Sequence, residues 1–304
     1  MYLMKNPGVI SFFIVVFVIV ACSGPSRDAY EVDFTDSIDV VSDNDQDTTA
    51  IRVAIATVIS PRESFVYYQE MFNALAIHLG RRVEFKQRTT YEEVNELLAQ
   101  NLVDMAFVCS GAYIQGADYM ELLFVPVVNG KPLYRGYVIT HKNSEVQRFE
   151  DFEGLTFTFS DPLCFTGSLF VDLRLHQLGT NAEDFFGEIV YSLSHDLSIQ
   201  MVARNVIDGA AVNGLIFDYM ATYRPGYVSD LRIVEKTSAG GIPPVVNSLL
   251  MPRALRSEIQ SFFVDMHKQE ETGKILEKIL VDKFVLADDT LYDSLREMKE
   301  MLWQ

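Results

Sequence analysis

The residues best placed to do chemistry sit where strands give way to helices. The run Asp161-Pro162-Leu163-Cys164-Phe165-Thr166-Gly167 reads as the end of a strand and the opening of a helix, with Asp-Pro forming the turn. Backbone N–H groups after such a turn have no partner inside the helix, and the helix dipole adds positive partial charge. Cys164, Phe165, Thr166 and Gly167 would therefore line a place that attracts an anion. The plainer expectation is a helix start with a packed Phe. His195 also stands between a strand end and a helix start. Its imidazole can donate to an anion and changes charge near neutral pH, or it can serve as a cap. Tyr91 follows Thr90 in the capping-box pattern Thr90-Tyr91-Glu92-Glu93. That places it in a helix's first turn, near a cleft mouth, where it would reach a ligand or pack as an ordinary amphipathic side chain. Arg62, after Ser60-Pro61, offers a bidentate partner for an oxyanion or a solvated first-turn residue.

The chain has three cysteines, Cys22, Cys109 and Cys164. No CxxC and no His/Cys metal spacing occurs, so the fold is not built on disulfides or zinc. Cys109 and Cys164 both fall at strand ends facing the expected cleft, one in each half of the chain. They could pair when the halves close, bind a soft metal, or lie apart as buried thiols. Catalysis finds no support: there is no G-x-S-x-G, no H-E-x-x-H, no P-loop and no dinucleotide fingerprint. With only five histidines, no metal centre or other cofactor is expected.

The elements that must position these residues alternate. Ile51–Ala56 reads as a strand. Arg62–Leu79 has apolar residues at helical spacing and Gly80 as its stop. Strand Val83–Lys86, the helix opened by Thr90, strand Val103–Val108, a short helix near Ala112–Tyr119 and strand Leu122–Val127 follow. Arg135–Thr140 reads as a crossover into a second lobe. That lobe has strands at Leu155–Ser160, Ile189–Leu193, Ala210–Asn213 and Leu231–Glu235, with helices between them. Ser238–Pro244 is turn-rich and makes the return crossover, and helices from Arg253 on pack on the first lobe. The expected fold is α/β with two lobes, mostly parallel sheets, a hinge and a central cleft. Residues 51–135 plus 243–304 make lobe one, and 136–242 make lobe two.

The N-terminus is read separately. Val9–Ala21 is apolar except for Ser11, follows one lysine, Lys5, and ends at Cys22. It is too short to span a bilayer and fits a signal peptide over residues 1–21. Ile19-Val20-Ala21-Cys22 looks like a bacterial lipobox, with Cys22 lipidated as the new N-terminus. The net charge is −17, and much of it lies between Arg27 and Ala50. Residues 22–50 read as an acidic, solvated tether. This charge argues against nucleic acid as a partner and requires any bound anion to be held by local donors.

From about Ile51 to about Met251 the chain resembles the periplasmic substrate-binding proteins of phosphonate, phosphite and phosphate-type ABC transporters. Four places carry the resemblance. They are Val53-Ala54-Ile55-Ala56-Thr57-Val58-Ile59-Ser60-Pro61; Thr89-Thr90-Tyr91 with Val103-Asp104-Met105-Ala106-Phe107; Ser160–Gly167, where the family has D-P-x-S-T-S-G; and Ser194-His195-Asp196 with Asp208–Val212. The resemblance implies a type II binding-protein fold in the cell envelope, facing periplasm or exterior and held to the membrane by lipid. It implies a small anionic ligand in an interlobe cleft and an ABC permease as partner, or a membrane receptor or kinase to which a solute is presented. It implies ligand contacts from Tyr91, from the Cys164-Phe165-Thr166 run and from His195. Of the family's S-T-S hydroxyls only that of Thr166 remains; a thiol donates more weakly, and Phe165 donates nothing from its side chain. The acidic positions of aminophosphonate binders fall near Asn213–Leu215 and at Pro243, where no carboxylate stands, so a smaller or more apolar ligand is expected.

Overall fold

The computed structural model describes residues 50–56 and 61–302, the side chains of 61–67 excepted. The signal segment 1–21, Cys22, the tether to residue 49, and the Arg62 side chain lie outside the described residues. Among the described residues no helix is long and apolar enough to cross a membrane.

Strands β1 (Ile51–Ile55), β2 (Val83–Gln87), β3 (Met105–Phe107) and β4 (Met120–Val127) alternate with helices Pro61–Leu79, Tyr91–Ala99 and Ser110–Gln115. The short β5 (Leu133–Tyr134) leads out of this unit. β6 (Gly136–His141), β7 (Thr156–Phe159), β8 (Glu188–Tyr191), β9 (Gly209–Asn213) and β10 (Leu231–Lys236) build a second sheet. The short β11 (Gly240–Gly241) leads back to β12 (Val245–Ser248), and β13 (Lys283–Val285) follows late in the chain. The first sheet has six strands in the order β13-β4-β12-β3-β1-β2, and the second has five in the order β10-β6-β9-β7-β8.

Both sheets are mixed, which corrects the expectation of mostly parallel ones. β1 is parallel to β2 and β3, but β12 enters antiparallel between β3 and β4, and β13 pairs antiparallel on the far side of β4. In the second sheet β7 is parallel to β8 and β9, while the incoming β6 runs against β9 and β10. The βαβ pattern sets the direction of strands joined by helices. It says nothing about a strand arriving from the other lobe, and in each sheet the arriving strand is inserted antiparallel. The two linking segments also hold each other. β5 pairs antiparallel with β11, and Thr237 Oγ1 accepts the backbone N–H of Gly136 at 2.8 Å.

Local sequence explains the elements next to the site. β1 is almost wholly buried and apolar, as suits a central strand. The capping box forms: Thr90 Oγ1 accepts the Glu93 N–H at 3.2 Å, and the Glu93 carboxylate accepts the Thr90 N–H at 2.9 Å. Val94, Leu97 and Leu98 then bury one face of that helix. The second lobe packs on phenylalanines, with Phe157 and Phe186 stacked at 4.5 Å. The helix expected from Gly167 begins as a π-helical turn, Phe165–Leu169, before the α-helix Phe170–Leu178. The C-terminal segment yields helices Arg253–Asp265, Glu270–Lys278 and Asp293–Leu302, the last packing on Phe170–Leu178 as well as on the first lobe.

Candidate functional site

The site lies in the seam where β7, from one sheet, meets the helix starts of the other. Asp161 follows β7 and makes two contacts. One carboxylate oxygen accepts the Leu163 N–H at 2.8 Å and closes the turn; the other accepts the Tyr91 N–H at 3.0 Å. A carboxylate of one lobe thereby caps the first turn of a helix in the other. Burial pushes the Asp161 carboxyl up from its ordinary value, and these two N–H donors oppose the rise only in part.

Cys109 stands at the N-cap position of helix Ser110–Gln115 and Cys164 at that of the π-helical turn, neither with a side-chain capping bond. Both side chains are buried. A Cβ on Gly111 would overlap the carbonyl oxygen of Leu163, so glycine is what lets the two loops approach. Cys109, Cys164 and Phe165 share one buried cluster, so the two cysteine-bearing loops meet at the seam beside the helix start expected to attract an anion.

His195 begins helix His195–Ala203 and is fully buried. Its Nδ1 accepts the backbone N–H of Asn213 at 3.1 Å, so the ring hydrogen sits on Nε2. Nε2 lies 3.3 Å from Ser160 Oγ and 3.6 Å from Cys164 Sγ. Thr166 Oγ1 lies 3.4 Å from the same sulfur. For Cys164 burial raises the thiol, but the Cys109 thiol, the His195 imidazole and the Ser160 hydroxyl outweigh it and hold Cys164 well below its usual range. Burial pushes its neighbour Cys109 up.

Tyr91 does not lie at a cleft mouth; it is 1% exposed. Its hydroxyl has no hydrogen-bond partner and sits in the field of Cys164, Cys109, Asp161 and Tyr134. Phe165 crosses the seam into an apolar cluster with Tyr134, Ile242 and Leu295, its ring 5.8 Å from that of Tyr134. Gly167 lies behind Cys164, and a Cβ there would make only ordinary contacts.

The structure thus brings together Tyr91, Cys164, Phe165, Thr166 and His195 around a sulfur of the chain itself. Reasoning from sequence missed Asp161, which was read as a turn residue, and Asn213, whose N–H fixes the His195 tautomer. It also missed the carboxylates of an adjoining cavity of about 820 Å³. Tyr68 and Phe107 face Asn213 and Leu215 across this cavity, and Asp218, Glu277 and Asp282 stand on its wall. Its described lining contains no Lys or Arg. Among the described residues no group of three or more His, Cys, Asp or Glu side chains is arranged to hold a metal ion.

This arrangement can be set beside known proteins. Residues 53–292 match the family model of ABC transporter phosphonate periplasmic substrate-binding proteins. The phosphonates-binding periplasmic protein of Escherichia coli is 23% identical over 233 residues, covering 73% of this chain and 69% of that protein. A binding-protein component of an ABC phosphonate transporter from Pseudomonas aeruginosa superimposes with a TM-score of 0.79 at 20% identity, covering 84% of this chain and 86% of that one. A Prochlorococcus marinus protein in complex with methylphosphonate superimposes with a TM-score of 0.72 at 18% identity, covering 84% and 98%. The fold is that of type II periplasmic binding proteins, with two lobes about a hinge and a cleft. Because the family model spans most of the chain, this protein belongs to the family of periplasmic substrate-binding proteins of phosphonate-type ABC transporters, which work outside the cytoplasm and are not enzymes.

Proposed function

We propose that this protein captures a small oxyanion, of the phosphonate, phosphite or phosphate type, between its lobes and delivers it to an ABC permease. Residues 51–135 with 243–304 form one lobe and 136–242 the other, joined at the β5–β11 pair. The observation that carries the reading is the Tyr91 hydroxyl: wholly buried, without a partner, and aimed into the seam where Thr166 and the Nε2–H of His195 also converge. A buried hydroxyl without a partner costs about 1–3 kcal/mol, and a ligand oxygen would supply the missing bond. When the lobes part, the helix-start N–H groups after Cys164 become available to an anion. The ligand's substituent then occupies the adjoining cavity, whose wall favours an apolar or cationic group.

The experiment is a thermal-shift screen of the full chain in detergent, with reductant, against phosphate, phosphite, methylphosphonate and sulfate. A ligand at 100 times its Kd stabilises the fold by about 2.7 kcal/mol, several degrees of melting shift. A shift with one of these anions, lost in Thr166→Ala and Tyr91→Phe, supports the reading. No shift with any of them overturns it. We further propose that Cys22 carries the lipid that tethers the protein to the membrane. Cys22→Ala should then leave the membrane fraction, and its retention there would contradict the anchor.

A further inference from the structure

The two buried cysteines lie in one cluster at the centre of the proposed anion site. Cys109 belongs to a helix start in the lobe of the first sheet and Cys164 to a helix start in the lobe of the second. Both are buried in one core cluster, and the loops that carry them touch: a Cβ on Gly111, two residues after Cys109, would overlap the carbonyl of Leu163, the residue before Cys164. Cys164 is held by Thr166 and His195.

A shared soft metal ion is the first alternative, and the histidine argues against it. His195 Nδ1 already accepts the N–H of Asn213, so Nε2 keeps its hydrogen and offers no lone pair beside the two sulfurs. The pair is therefore left as a dithiol, in a protein whose family works outside the cytoplasm, where disulfides form and persist.

We propose that Cys109 and Cys164 form a disulfide that ties the two lobes together across the anion site, so that solute enters only when it is reduced. The oxidant is an external disulfide, either a small molecule or an oxidoreductase. Cys164 is the first thiol to lose its proton, since its neighbours favour the thiolate. With the lobes parted, its sulfur attacks one sulfur of the external disulfide, forms a mixed disulfide and expels one thiolate. On closure Cys109 gives up its proton and its sulfur attacks that of Cys164, expelling the second thiolate. Two protein thiols are oxidised and one external disulfide is reduced to two thiols. The bond then spans the seam at the point where the lobes must separate.

The cross-link itself is independent of what the cleft binds; its effect on solute entry rests on the anion reading above. Both are tested on the full chain in detergent, incubated with oxidised glutathione, alkylated without reductant and digested with trypsin. Arg135, Lys142 and Arg148 separate the two cysteines, so they fall on different peptides. The expected result is a linked pair of peptides that parts on reduction, and in Cys109→Ser a glutathione adduct on Cys164 in its place. Separate peptides, each alkylated or carrying glutathione, overturn the cross-link. Melting shifts with methylphosphonate are then read before and after dithiothreitol. A shift only after reduction is the expected result, and an equal shift in both states overturns the gating. A linked pair with no response in either state to methylphosphonate, phosphate, phosphite or sulfate keeps the cross-link and overturns the anion reading. Separate peptides with a normal response do the reverse.

Discussion

The Asp161 carboxylate accepts the Tyr91 N–H at 3.0 Å, so a residue that ends a strand of one sheet caps a helix that belongs to the other. The contact works as a latch for the closed form, and the burial of its carboxylate makes stability depend on pH. Burial raises the folded carboxyl above the unfolded value of about 3.9. The folded state therefore holds this proton more tightly than the unfolded one. The resulting stability is fully present below the unfolded value and is lost as pH rises through the folded value. Asp161→Asn removes that titration. At neutral pH it also leaves one N–H without an acceptor, an offset of about 1–3 kcal/mol that does not vary with pH. Melting temperatures measured from pH 4 to 7 should fall more steeply in the wild type than in Asp161→Asn. Parallel curves would mean that the Asp161 carboxyl is not buried in the folded protein in solution.

His195 gives a second prediction, read by absorbance. Its Nε2–H points to Cys164 Sγ at 3.6 Å and helps hold that thiol below its usual range. Thiolate absorbance near 240 nm in the reduced protein, less that of Cys164→Ser, should rise with a midpoint below the ordinary thiol value of about 8.5. His195→Ala should move the midpoint upward. The sign for stability is the reverse of that for Asp161: Cys164 stabilises the fold above the unfolded thiol value, and this is lost as pH falls through the folded one. An unchanged midpoint in His195→Ala would mean that the imidazole does not donate to the sulfur.

Much of this was legible in the sequence. The capping box at Thr90, the strand ends before Asp161 and His195, and the two crossovers follow from local patterns. Thr166 and His195 do lie within contact of Cys164, with Tyr91 in the same buried seam. What was not legible is what depends on contact between distant segments. Asp-Pro reads as a turn whether or not its carboxylate reaches Tyr91, seventy residues away. Strand direction follows from helical connections, so the antiparallel β6 and β12 were invisible. Strand ends marked the cysteines as candidates, and only the fold brings them into one buried cluster. Asp218 lies just beyond the segment searched for a carboxylate and still lines the cavity.

Phe165 tests whether the seam is closed without solute. Its side chain is wholly buried across the seam against residues of the other lobe. Truncating a buried phenylalanine to alanine costs about 3–5 kcal/mol, roughly 2–4 °C of melting temperature per kcal/mol at this chain length. Phe165→Ala should therefore melt lower by at least about 6 °C. Leu250 is 71% exposed, and Leu250→Ala should change stability by no more than about 0.5 kcal/mol. A Phe165→Ala protein that melts like Leu250→Ala would mean that the seam stands open in solution and closes only on ligand.

The cavity beside the site sets a rule for the ligand's substituent. Asp218, Glu277 and Asp282 stand on its wall, no described lining residue is Lys or Arg, and burial raises the Asp218 carboxyl from its ordinary value. A further negative charge there would meet three like charges, against which the lining sets only His267. Methylphosphonate should therefore bind more tightly than carboxymethylphosphonate, by calorimetric titration of the reduced full chain. The Tyr137 hydroxyl donates to Asp218 at 3.2 Å and holds it toward the seam. Asp218→Asn should narrow the gap between the two ligands. The Asp218 carboxylate is only partly buried, so the narrowing should not exceed about fivefold, the scale of a screened charge pair. Equal affinity for the two ligands in the wild type would show that the substituent does not enter this cavity, and that the acidic wall serves another surface of the protein.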